Sequence, residues 1–108
     1  LDQDPSAAIR IIKDWIWFDI HATEEEEQEL RRQGVIPACL YAHFIIRDLS
    51  GQMRSGSWVC TTPILMNSPV WPVVRTSNTH YILVGPGQRR EVSAGVVLSI
   101  FNGATVCH

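Results

Sequence analysis

By residue type, Cys39, His43 and Cys60 are the best-placed soft ligands in this chain. Cys39 and His43 are four residues apart, so in a strand both point to one face. Cys60 on a neighbouring strand would complete a Cys-Cys-His set suited to zinc. A buried cysteine is more often a small hydrophobe, and a lone strand histidine a satisfied polar residue. The expectation is therefore no metal. Nucleophilic catalysis has less support. There is no Gly-x-Ser-x-Gly elbow and no cysteine-protease signature. Asp19, Asp48, His43 and Cys60 would have to be assembled by folding alone. The Gly85-Pro86-Gly87 stretch is no phosphate loop, because no Lys-Ser/Thr follows it and it leads into a strand rather than a helix. No enzyme activity and no cofactor are expected.

Binding chemistry is better represented. Trp71 lies between Pro69 and Pro72, which stiffen its loop, and Arg75 follows four residues later. Trp, Tyr and Arg dominate interface hot spots. A type II turn at Pro86-Gly87 would close a hairpin and bring Arg89 and Arg90 beside Arg75. These residues form the expected partner-facing rim, against the simpler reading of two turns joining three strands. Glu24, Glu25 and Glu27 belong to a run of five glutamates within six positions. Such a row loosely mimics phosphates and could enter a basic groove on a target, although acidic helix faces are mostly just solvated. An alternative from another class is a small β-barrel that binds single-stranded nucleic acid, with Tyr41 and Tyr81 for stacking and Arg75, Arg89 and Arg90 for the backbone. The net charge of −2, from 9 basic and 11 acidic residues, weighs against it.

These residues must be positioned by a single domain, residues 1–108, of globular composition: 45% hydrophobic and 19% charged. "KDWIWFDI" predicts an interior strand, with Trp15, Trp17 and Asp19 on one face and Ile16, Phe18 and Ile20 on the other. Before it, Ser6 could cap a short helix over Ala7 to Ile12, or Ile9 to Ile12 is already strand. "ATEEEEQELRRQG" predicts a surface helix with a Thr23–Glu26 capping box and Gly34 beyond its end. "PACLYAHFIIRD" predicts a strand with Leu40, Ala42, Phe44 and Ile46 on one face. "GSWVCTTPILM", "VVRT", "HYILVG" and "REVS" supply further strands; "AGVVLSIF" reads as a closing helix capped by Ser93, although its valines would also suit a strand. The expected fold is α+β: a strongly bent, mainly antiparallel sheet of about five or six strands, a partly open barrel. It carries one acidic surface helix and a short C-terminal helix. Edge strands in so short a sheet must be covered, which makes a homodimer an expectation. Three cysteines without close spacing fit reduced thiols in a cytosol. No signal-peptide pattern opens the chain, which starts at Leu1, and no apolar run approaches the ~20 residues of a spanning helix.

Four pieces carry a resemblance: "DWIWFD", "GVIPACLYAHFIIRDLSGQMRSGSWVCTT", "VVRTSNTHYILVGPGQRREVS" and "VVLSIF". Together they resemble an uncharacterised family of small proteins encoded by phages and prophages of Gram-negative bacteria. That pattern has a Trp-x-Trp-x-Asp strand, a Thr-x-Asn-Thr-x-Tyr turn and a Gly-Pro-Gly corner. The resemblance implies a phage accessory protein, cytoplasmic in an infected bacterium. It implies action by binding and blocking a host protein, including nucleic-acid-binding defence complexes, in the manner of an anti-CRISPR protein. It assigns no role to any single residue.

Overall fold

A computed structural model describes residues 8–68 and 70–95 of the chain. Strands β1 (Ala8–His21), β2 (Ala38–Asp48), β3 (Val59–Cys60), β4 (Val73–Arg75), β5 (Thr79–Val84) and β6 (Gln88–Ser93) form one sheet. One helix, α1 (Glu24–Arg32), connects β1 to β2. The strand order is β3-β2-β1-β5-β4, with β6 also paired to β1. β1 is thus interior, as its two apolar faces require. The α+β class stands, as an open, mixed sheet that does not close into a barrel. The expected C-terminal helix lies outside the described residues except for Ala94 and Gly95, which are helical.

The pairing corrects the antiparallel expectation. β1 is antiparallel to β2 but parallel to both β5 and β6, which lie end to end along its other edge. Gly85-Pro86-Gly87 therefore does not turn the chain back. From Lys13↔Val84 to Ile16↔Gln88, β1 advances three residues and its partner four, so the segment is a one-residue bulge. Gly85 has φ 71°, and a glycine in that region serves a bulge as readily as a hairpin turn. At 14 residues, β1 is long enough to carry both partners.

The alternation also breaks within β2. Leu40, Ala42 and Ile45 all lie in the main core, while His43 and Phe44 between them are exposed. Phe44 therefore does not share the Leu40 face, as simple alternation predicted. The break lies beside Asp14, whose φ of 52° kinks β1 at the same level. The main core gathers Ile12, Trp17, Leu40, Ala42, Ile45, Ile64 and Val74. Each fully buried aliphatic contributes about 1.5–3 kcal/mol. A smaller cluster, Phe18 and Cys39 with Ile16, Ile20, Tyr41 and Val92, occupies the other face.

Helix α1 forms from local signals. Thr23 Oγ1 accepts from the Glu26 N–H at 3.1 Å, and Glu26 Oε1 accepts from the Thr23 N–H at 2.9 Å. Beyond the other end, Gly34 (φ 77°) donates to the Arg31 carbonyl and Val35 to that of Leu30, each at 3.0 Å, which closes a Schellman motif. The helix buries none of its residues. Hydrogen bonds just beyond its C-terminus, Ile36 N–H to Ile64 O and Met66 N–H to Gly34 O, tie that end to the sheet.

Candidate functional site

Asp14 adopts the left-handed region, at a cost of roughly 1–2 kcal/mol for a non-glycine residue, although Asp tolerates it better than most. Just past this kink, Trp15 packs against the main core and its Nε1–H donates to the Gly85 carbonyl at 3.2 Å. The indole covers Gly87 so closely that a Cβ there would lie 2.2 Å from the ring. Glycine is required here because an aromatic ring rests on the backbone.

A second element completes the surface. Val70 and Val73 exchange backbone hydrogen bonds of 3.0 and 2.8 Å around Trp71-Pro72, and Leu83 N–H donates to the Pro72 carbonyl at 2.9 Å. This turn holds Trp71 over Trp15 and Trp17, with ring centroids 5.7 and 6.2 Å away. Trp71 is nevertheless 57% exposed, beside Val70 at 75%. Arg89 borders the same group. Its Nε and Nη2 donate to the two Asp19 carboxylate oxygens at 2.6 and 3.0 Å, and its guanidinium lies 5.6 Å from the Trp17 ring centroid. Trp17 Nε1–H donates to Asp19 Oδ1 at 3.0 Å. The Arg89 hydrogen bonds hold the Asp19 carboxyl below its ordinary pKa; partial burial opposes them and the Trp17 bond assists. The result is an aromatic platform with a fixed ion pair at its rim. It can pack, stack and offer directional hydrogen bonds.

Of the expected contact residues, Trp71 and Arg89 meet on this surface, bridged by Trp17. Arg90 is adjacent to Arg89 on β6, so it points to the opposite face, and it donates to Gln88 Oε1 at 2.9 and 2.6 Å. Arg75 does not join them. It pairs with His80, which pairs with Ile9, whereas Arg89 pairs with Trp17, eight residues further along β1. At ~3.3 Å per residue that is about 26 Å. The expected gathering of arginines fails because β5 and β6 continue in one direction instead of folding into a hairpin. Glu24 and Glu25 are exposed on α1 and Glu27 is half-buried. Glu26 is committed to the cap, where the Thr23 backbone N–H lowers its pKa, and Glu29 pairs with Arg32 at 2.9 Å.

The soft ligands do not assemble. Among the described residues, no three His, Cys, Asp or Glu side chains group to hold a metal. His43 lies edge-on to Tyr41, 4.8 Å between centroids, at the level where the alternation breaks. Cys39 is buried, and its hydrogen bond with Cys60, together with burial, pushes its thiol pKa up. Tyr41 packs among Phe18, His43 and Trp58, and Tyr81 is only 3% exposed. Tyr81 therefore offers no face for a base.

The sequence puts Trp15, Trp17 and Asp19 on one face of an interior strand, and Trp17 lies in the main core with Trp15 against it, but the sequence gives Asp19 no part in binding. The signal for Trp15 was the second glycine of Gly-Pro-Gly, a position where an indole needs room. Nothing local announced its distance from Trp71 or Arg89. No helix among the described residues is long and apolar enough to cross a membrane. Neither the curated proteins nor the solved structures hold a match to this chain. One family model does match, over residues 2–99, and the chain belongs to that family, a domain of unknown function termed DUF6957.

Proposed function

We propose that this chain is a binding protein without chemistry of its own, and that it docks on a protein partner through Trp71, Trp15 and the Arg89–Asp19 pair. One observation carries the proposal. Trp71 is more than half exposed, yet a hydrogen-bonded turn and two indoles hold it in place. A large aromatic fixed before contact loses little entropy on binding, and this is how hot-spot residues work. The resemblance to phage and prophage proteins supplies the setting: an accessory protein that blocks a bacterial host component, with nucleic-acid-binding defence complexes as candidates. The exposed Glu24 and Glu25 with Glu27 form a second contact candidate on that target. The nucleic-acid alternative gains no observation in its favour, since Tyr81 is buried and Arg89 is committed to Asp19.

Capture from infected cells with tagged wild type and Trp71→Ala tests this proposal. A protein retained by the wild type is expected to be lost with Trp71→Ala, with binding weaker by about 2 kcal/mol or more at unchanged fold. A partner held equally by both variants would remove the tryptophan surface from the proposal. If Glu24, Glu25 and Glu27 charge reversal alone abolished capture, the contact would move to α1.

A further inference from the structure

On the sheet face turned away from the main core, bordered by the turn that carries Trp71, lies a groove of about 270 Å³. Ile9 of β1, Ile82 of β5 and Val73 of β4 form its floor, and Val70 forms one wall. Its lining surface is mostly apolar; Asn67, Ser68, Arg75 and His80 are its polar residues, and Arg75 and His80 stand directly opposite each other on β4 and β5. Directly opposite residues share a face, so both side chains serve the same end of the groove.

The backbone of Arg75 is pinned. Its N–H donates to Ser68 Oγ at 2.8 Å, and its carbonyl accepts from the Leu65 N–H at 2.9 Å. Its guanidinium is another matter. The ion pairs among the described residues engage Arg10, His21, Arg32 and Arg89, and Arg75 has no carboxylate partner there. It is also half-buried. A planar cation held beside an apolar floor, without a counter-charge among the described residues, matches one ligand chemistry. The tail must be apolar, and the head must be an anion that accepts two parallel N–H bonds.

We propose that this groove binds a small apolar monocarboxylate, its tail on Ile9, Val73 and Ile82 and its carboxylate on the Arg75 guanidinium, with His80 beside it. The volume is at the low end for ligand pockets, which suits a short unbranched acid rather than a large one. The groove shares the Val70–Val73 turn with the tryptophan surface, but its Arg75 end lies eight residues along β1 from Arg89.

The test uses octanoate, with octanol and octylamine as controls, and follows the backbone amides of the full chain by NMR. Octanoate is expected to shift Ile9, Arg75, His80 and Ile82 saturably. Arg75→Gln is expected to weaken it by roughly 10-fold to 100-fold, the loss of a charge-assisted hydrogen-bond pair. Octanol should bind the wild type at least as weakly as octanoate binds Arg75→Gln. Ile82→Trp, which fills the groove and leaves Arg75 in place, should abolish the shifts and guards against a misfolded arginine variant. Arg89→Gln should leave octanoate binding unchanged, which separates this site from the proposed docking surface. Octanol or octylamine binding as tightly as octanoate would overturn the proposal, and so would octanoate shifts that never saturate or are indifferent to Arg75→Gln.

Discussion

β1 carries an arginine–carboxylate pair near each end, and the two pairs do different work. At the start, Arg10 Nε donates to Asp48 Oδ2 at 3.2 Å, with side chains only 12% and 0% exposed. Asp48 also accepts from the Ser50 and Met53 N–H groups at 2.9 Å, and Arg10 reaches the Tyr81 hydroxyl and Gln52 Oε1, both at 3.1 Å. Both Asp48 oxygens and all three Arg10 nitrogens take part, and the network ties the 49–53 turn to β1 and β5. Near the other end, Asp19 and Arg89 pair at 2.6 Å with side chains 32% and 71% exposed. The chemistry is the same but the solvent is not. The buried pair holds the sheet in register, whereas water screens the exposed pair and leaves it to shape a surface.

Breaking the buried pair should have the largest effect. Asp48→Ala leaves Arg10 unpaired in the interior and the Ser50 and Met53 donors unsatisfied, at an expected cost of about 3–5 kcal/mol in denaturant unfolding. A loss near that of an exposed pair would show that the two ends of β1 do not differ. Gly87→Ala comes next. The new Cβ must displace Trp15 from its seat on the bulge, with an expected loss of about 1–3 kcal/mol. Near-UV circular dichroism should change with it, because Trp15 and Trp71 would separate.

Acid sharpens the comparison further. Burial alone would raise the Asp48 pKa, but hydrogen bonds from Ser50, Arg10 and Met53 outweigh it and hold the carboxyl below its ordinary value. Asp19 is lowered as well, chiefly by Arg89. A folded pKa below the unfolded one gives stability that is complete above the unfolded value, about 3.9 for Asp, and is lost as pH falls through the folded value. Unfolding followed from pH 7 to pH 2 should therefore show a loss confined to the acid side. Asp48→Asn should flatten it more than Asp19→Asn does, because solvent discounts the exposed pair. The reverse order would mean that the surface pair carries the acid sensitivity. The smallest effect is expected from Arg89→Gln, which should leave the midpoint of thermal unfolding nearly unchanged while still weakening a partner held at the tryptophan surface.

Legibility in the sequence followed the range of the interactions. The capping box, the Schellman end and the solvated face of α1 all rest on contacts within about one helical turn, so residue order was enough to place them. The interior position of β1 was also legible, because both of its faces are apolar. Strand direction was not. Alternation has the same period in parallel and antiparallel sheets, and a Pro-Gly with positive φ nearby satisfies a reversal and a bulge equally well. One mistaken turn then displaced the arginines, putting Arg89 and Arg90 beside Arg75 when Arg89 lies about 26 Å away along β1 and Arg90 one residue further. The break at His43-Phe44 was hidden for a similar reason, since the kink beside it is at Asp14, on another strand.

By itself the sequence determined the class of fold, the helix and its caps, the central strand, and Trp71 as a residue worth watching. Those features depend on composition, on near neighbours, or on the pattern of one segment. Tertiary structure alone decided that Trp71 rests on Trp15 and Trp17, that Arg89 finds Asp19 at their rim, and that Arg75 faces an apolar groove instead. Each of these depends on which edge of β1 the second half of the chain takes and in which direction it runs. That choice is settled by packing across the whole sheet, where the core on one face and the Asp48 network at the strand's start must both be satisfied, and no short stretch of residues encodes it.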